Sequence, residues 1–425
     1  MIKRQMLAAA VALTLVSGAV RAEVIGRMET PQALSEQRLD GVAAPERALW
    51  LAYLARSRSL MAADKAALAA EREGTEAGTV AGAAAQPAPG NGMPLKNAAD
   101  WYGSADALRI ADNIVSYQTP AGGWGKNVNR DAPPRQKGEA YVHGDAGKPE
   151  GWSFVGTIDN DATSTELRFL ARVIASGRGA RQAQYRAAFV RGMEYLFNAQ
   201  YPNGGFPQVY PLAGGYHDAI TYNDNAIANV ADLLDDVALR RGDYGFVSTE
   251  LAARAAQSRD KAEQVIIASQ IRIDGVPTGW CQQHDPVTLA PVGARNFEPI
   301  ALVSEESARL LKVLMRDPAP TPAVVAAVDA GAAWLKRVAI YGQHWERSRA
   351  GGVLTPKAGA GPLWARFYDI ATMRPVFGDR DRTIHTDVNE LSPERRTGYA
   401  WYVSNPAATL DKYQQWARKF SPTGH

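Results

Sequence analysis

The string Gln-Thr-Pro-Ala-Gly-Gly-Trp-Gly-Lys-Asn, Gln118 to Asn127, returns 82 residues later as Gln-Tyr-Pro-Asn-Gly-Gly-Phe-Pro-Gln, Gln200 to Gln208. A looser third copy runs from Arg272 through Gly279-Trp280-Cys281 to Gln283, its aromatic a further 74 residues on. Each copy follows a helix-length apolar pattern and repeats one order: a turn residue, small glycines, an aromatic, then a polar side chain. Near-equal spacing of one supersecondary unit points to a repeat architecture. Between the copies the apolar residues recur with helical period. Helices are expected over residues 101–117, 163–174, 184–199, 225–239, 261–271, 304–314 and 323–338, while alternating runs are almost absent. Each helical hairpin is amphipathic and cannot bury its apolar face alone. Stacking them around an axis gives an all-α fold, an α/α toroid with long loops at one end and few short strands.

The chain opens with a basic start, an apolar stretch from Leu7 to Val16 and a small-residue site ending at Ala22. This is the pattern of a secretory leader over residues 1–22, too short in its apolar part to span a membrane as an anchor. A secreted protein, periplasmic or extracellular, is expected. Losing Lys3, Arg4 and Arg21 with the leader lowers the formal net charge from +3 to 0. A neutral chain lacks the broad basic footprint of a nucleic-acid binder. Residues 23–73 read as a charged helical segment and 74–95 as an Ala/Gly/Pro linker. The main domain is expected over 96–425, as a monomer. Cys281 is the only cysteine, so no intrachain disulfide is available, and it reads as a small core residue.

Two Asp/Asn clusters open expected helices: Asp159-Asn160-Asp161 and Asn223-Asp224-Asn225. One carboxylate in each could serve as an N-cap. Alternatively, clusters at corresponding helix starts would converge at one end of a toroid, where carboxylates and amide oxygens suit a hard cation such as Ca2+. Neither has the EF-hand spacing. Positive charge gathers in other loops, at Lys126, Arg295, Arg366, Arg380 and Arg382. Such side chains grip carboxylates, or else pair with neighbouring acids such as Asp379 and Asp381. Trp124 and Phe206 read as packing residues. No nucleophile elbow, zinc-protease helix or phosphate loop is present, and the histidines, His143 among them, are scattered.

Several blocks together resemble the family 10 pectate lyases. They are the Gly-Gly-Trp-Gly-Lys-Asn loop, Thr157 to Asn160, Asn198 to Gln208, Ile220 to Asp224, Trp280 to Asp285, Ala294-Arg295, Glu305 to Ser307, Arg366 to Ile370, Gly378 to Asp381 and Arg395 to Tyr402. The likeness covers roughly residues 96–405, in order. It implies an (α/α)3 toroid that cleaves polygalacturonate, an acidic polysaccharide, by calcium-dependent β-elimination. It also implies Asp159 and Asp224 as calcium carboxylates and Arg295 as the base that takes the C5 proton. Lys126, Asn160, Arg366 and Arg380 would contact uronate carboxylates. Asp161 departs from the glycine usual in the family. A free arginine is protonated below about pH 12, so such a base predicts an alkaline optimum. A toroidal glycoside hydrolase acting on uronides and a non-catalytic polysaccharide-binding protein are the competing readings.

Overall fold

A computed structural model describes residues 23–73, 92–142, 155–348 and 351–421. The expected leader, nearly all of the expected linker, and His143 lie outside the described residues. Ten helices are described: α1 Ala44–Arg72, α2 Ala105–Ser116, α3 Ser164–Ala175, α4 Gln182–Ala199, α5 Ala226–Ala238, α6 Thr249–Ala268, α7 Ser304–Leu314, α8 Pro322–Arg337, α9 Pro393–Gly398 and α10 Pro406–Phe420. The pairs α3/α4, α5/α6 and α7/α8 pack as hairpins, and α3, α5 and α7 contact one another in sequence as an inner row. Their buried residues join one hydrophobic core, as an α/α toroid requires. α6 begins well before the expected residue 261, because its first turns carry small alanines that hide the helical period. A hairpin of Gln343–Ser348 with Gly351–Pro356 was not expected. His344, Glu346 and Arg347 are exposed there, so no apolar alternation marked it.

The repeated loop is the joint of the toroid. Before each inner helix the chain makes a two-residue strand: Gly156–Thr157, Ile220–Thr221 and Leu302–Val303. The amide of Thr157, Thr221 or Val303 donates to the carbonyl of Trp124, Phe206 or Trp280, at 2.9, 3.1 and 2.8 Å. Those three aromatics are fully buried, so the packing reading holds for Trp124 and Phe206. Gly122 and Gly204 have φ of +102° and +98°, and a Cβ there would strike the carbonyl of Arg191 or Lys261. Only glycine satisfies both demands.

A glutamine locks each joint. The Gln118 amide donates to Gly122 O at 2.7 Å and Ala188 O at 2.9 Å. Gln200 donates to Gly204 O at 3.0 Å and Ser258 O at 2.9 Å. Gln270 donates to Thr278 O at 2.7 Å and Ala327 O at 3.0 Å. Each thereby ties its own loop to the outer helix of the following hairpin. Gln270 shows that the third repeat starts two residues before Arg272.

The hydrophobic core also takes in residues N-terminal to the main domain expected over 96–425. On α1, Trp50, Tyr53 and Leu54 are buried in the same cluster as the toroid helices. Tyr53 and Trp50 pack on the Tyr201 ring at 4.8 and 5.2 Å, and the Tyr53 hydroxyl donates to Ala199 O at 3.0 Å. Burying each such side chain contributes about 2 kcal/mol, enough to hold α1 firmly. Ahead of it, Val24–Arg27 pairs antiparallel with Thr383–His385. No helix among the described residues is long and apolar enough to cross a membrane.

Candidate active site

The turns Asp159–Asp161 and Asn223–Asn225 precede α3 and α5 and contact each other at one end of the inner row. Their backbones are unusual. Asn160, Asp161, Asp224 and Asn225 have φ between +49° and +62°, the left-handed region that short polar side chains tolerate best. Neither Asp159 nor Asp224 caps its helix. The N-cap residues are Thr163 and Asn225, and neither side chain makes a capping bond. Both carboxylates are therefore left for other work. Asp159 is buried; its Oδ2 forms an ion pair with Lys126 Nζ, and its Oδ1 accepts the Asn160 amide at 3.0 Å. Burial and the negative charge of Asp159 push the Asp224 carboxyl up to about 6, against the pull of Arg366 and Arg295. A carboxylate whose proton affinity is raised by a neighbouring carboxylate is suited to share a cation with it. Asp161 is engaged elsewhere, its Oδ1 accepting from Asn229 on α5.

The third inner helix completes the pattern. At the start of α7, Glu305 and Glu306 occupy the place that the Asp/Asn turns hold before α3 and α5. Glu306 is buried and pairs with Arg366, whose Nη1 also lies 3.2 Å from Glu305 and whose Nη2 lies 3.9 Å from Asp224. Burial opposes the charge on Arg366, but Glu306, Tyr399 and Glu305 outweigh it and raise its proton affinity.

Arg295 lies at the rim with its side chain 41% exposed. Its Nε donates to Glu298 Oε2 at 2.9 Å, and its backbone amide donates to the same oxygen at 3.1 Å. Burial disfavours the guanidinium form, yet the bonds to Glu298 prevail and hold it above the usual arginine range. Three guanidiniums surround one ring: Arg295, Arg380 and Arg395 stand 4.8, 5.0 and 4.1 Å from the centre of Phe297. Arg380 pairs with Glu394 at 3.0 and 3.1 Å, and not with the flanking Asp379 or Asp381. Arg382 donates instead to Thr30.

Beneath the two arginines runs a buried polar chain. Tyr399 OH donates to Glu298 Oε1 at 2.9 Å. Gln282 Nε2 lies 3.1 Å from Tyr399 OH, 3.3 Å from Glu306 Oε1 and 2.8 Å from Asn223 Oδ1. Glu298, Gln282, Glu306 and Asn223 are each at most 5% exposed. This chain links the rim arginine, Arg366 and the Asp224 turn. Glu298, Gln282, Glu306, Tyr399 and Arg395 had been assigned no role from the sequence, although four of them lie in blocks that carry the resemblance. A polar residue forecast as core would have been the signal. Cys281 is buried, as a core residue should be.

The family model described as "Pectic acid lyase" matches residues 118–410. A solved structure of a family 10 polysaccharide lyase from Cellvibrio cellulosa is 34% identical, with a TM-score of 0.66. That match covers 77% of this chain and 98% of the other. This chain belongs to the family 10 polysaccharide lyases. A mutant of the Cellvibrio cellulosa enzyme in complex with trigalacturonic acid is 33% identical, covering 78% of this chain and 99% of that one, with a TM-score of 0.65. No curated protein matches the chain. Membership in the family makes this protein an enzyme, a polysaccharide lyase.

Proposed function

We propose that this enzyme is a secreted, calcium-dependent pectate lyase that cleaves α-1,4-linked polygalacturonate by β-elimination. The observation that carries this reading is the positive charge gathered near the Asp159/Asp224 turns: buried Arg366 lies 3.9 Å from Asp224, Arg295 also acts on that carboxylate, and Arg295 at the rim shares the Phe297 ring with Arg380 and Arg395. An acidic polymer needs cations spaced along it, and this rim supplies them as planar guanidiniums suited to carboxylates. The related enzyme solved with trigalacturonic acid supports the substrate class.

In the reaction, the C5–H bond breaks and its proton moves to an Arg295 nitrogen. The electron pair forms the C4–C5 double bond, the C4–O bond breaks with its electrons on the departing oxygen, and that oxygen takes a proton from water. Lys126, Asn160, Arg366 and Arg380 are assigned to substrate carboxylates, where they offset the charge that develops next to C5. Glu298 fixes the direction of Arg295 but also favours its protonated form. The base-competent fraction therefore grows with pH, and the optimum is expected on the alkaline side.

No group of three or more His, Cys, Asp or Glu side chains is gathered for a metal among the described residues. The donor set fits an ion shared with substrate: Asp159 and Asp224, with Asn160 as a neutral oxygen donor beside them. Bound there, calcium would neutralise a uronate carboxylate and acidify C5. The test is polygalacturonate cleavage at alkaline pH, followed by the ultraviolet absorbance of the new double bond. Full loss on chelation and recovery with calcium are expected. Calcium-independent cleavage giving saturated ends would refute the reading.

A further inference from the structure

A cavity of about 300 Å³ lies between the N-terminal segment and the loops that lead to Arg295. One wall is residues 27–32 with Arg38; the other includes Tyr216, Val292, Gly293 and Ile300. Gly293 is two residues from Arg295, and Tyr216 acts electrostatically on the Arg295 guanidinium. Lys126 and Asn160 of the candidate site line a second cavity of about 120 Å³. Hollows thus adjoin both the Arg295 loop and the Lys126/Asn160 loops, as in a groove that a polymer crosses. The larger hollow owes one wall to residues outside the 118–410 span that the family model matches. It is held in place by the strand Val24–Arg27 on Thr383–His385, by Met28 N to Arg382 O at 2.9 Å, and by the Arg38–Asp285 ion pair.

The centre of this groove and its larger hollow differ in charge. Around Phe297 three arginines collect, whereas the charged residues of the larger hollow are Arg27, Glu29, Arg38 and Asp285, which cancel. Arg38 is already paired with Asp285. A free carboxylate entering this hollow would lose water without net attraction to replace it. An uncharged ester loses far less, and Met28, Val292 and Ile300 offer apolar contact for its methyl group. The volume is at the lower end of small-molecule pockets, which suits one sugar unit with its substituent.

We propose that residues 27–32 wall an outer subsite of the groove that takes a methyl-esterified uronide unit, chained to the unit held at Arg295. The inference rests on the galacturonan reading above, and its test reads binding, so the two can fail separately. Gln32 and Glu29 are exposed and outside the catalytic set. Gln32→Trp fills the hollow, and Glu29→Lys makes its charge positive. Affinities for trigalacturonate, for hexagalacturonate and for a partly methyl-esterified hexamer are measured by calorimetry in the full chain carrying Arg295→Ala, which stops turnover. Gln32→Trp should weaken the esterified hexamer about tenfold and the trimer less than twofold. Glu29→Lys should shift preference about fivefold toward the unesterified hexamer. Equal losses for all three ligands, no loss for the esterified hexamer, or an unchanged preference in Glu29→Lys would each overturn the subsite. Failure of the galacturonan reading would appear instead as no double-bond absorbance from the unsubstituted enzyme.

Discussion

Replacing Gln270 by Leu probes the glutamine lock at the joint that leads to Arg295. The side chain is 6% exposed, and its amide donates to Thr278 O and Ala327 O, one in its own loop and one in α8. Leucine retains the volume and removes both donors. Each neutral hydrogen bond contributes about 1 kcal/mol net, and a buried carbonyl left short of a partner costs about 1 kcal/mol more. The Ala327 carbonyl lies within α8 and has a helical acceptor role besides, which keeps its penalty at the low end. Against this, the added apolar burial returns about 1 kcal/mol. The net expectation is about 3 kcal/mol of destabilisation, or roughly 4 °C in Tm for a chain of this size. Gln118→Leu should cost more, because Gln118 Oε1 also accepts from Arg191 at 2.6 and 3.0 Å. Thermal unfolding followed by circular dichroism measures both variants. A Tm change under 1 °C for Gln270→Leu, or a smaller change for Gln118→Leu, would refute the idea that these amides staple one repeat to the next.

Arg295→Ala should lower turnover by about 10³-fold while trigalacturonate affinity stays within about tenfold, as initial rates and calorimetry would show. Glu298→Gln keeps the shape of the partner but releases the direction of Arg295, and should lower kcat about 10²-fold with KM nearly constant. A matching rise in KM would assign Glu298 to substrate binding instead. Burial pushes the Asp64 carboxyl on α1 up to about 7. The folded chain then holds a proton that the unfolded chain has released, so stability falls as pH rises from about 4 through 7 and levels off above it. Asp64→Asn should flatten that dependence and raise Tm at pH 8; an unchanged slope between pH 5 and 8 would contradict this.

The helical repeat was legible because Trp124, Phe206 and Trp280 recur at a spacing that only a repeated hairpin produces. Helix α7, Ser304–Leu314, coincides with its expected span because Leu310, Leu311 and Leu314 mark one face. The hairpin at residues 343–356 was not legible, since exposed strands carry no apolar alternation. In the candidate site, the two Asp/Asn turns could be read from composition, but their left-handed backbones could not. The sequence placed Lys126 with substrate and Asp159 with a cation, while the structure brings them into one ion pair. Glu298 escaped notice because a lone glutamate three residues after Arg295 looks like any solvated acid. Only burial separates it from one. Tyr399 lies over 100 positions from Glu298, and no local pattern predicts that meeting.

Val24 pairs with His385, 361 positions later in the chain. Contacts this distant form only after the intervening chain is available, so the arm has no partner strand while the hairpins assemble from local pairs. During synthesis the toroid's helices can pack in order, each against its neighbour, with the first residues still waiting. The strand closes when residues 383–385 arrive, and with it the wall of the larger hollow. A chain stopped before residue 383 would have its Asp/Asn turns and Arg295 but no edge for the arm to join. The N-terminal wall therefore closes only once residues 383–385 are available, late in the assembly of the groove.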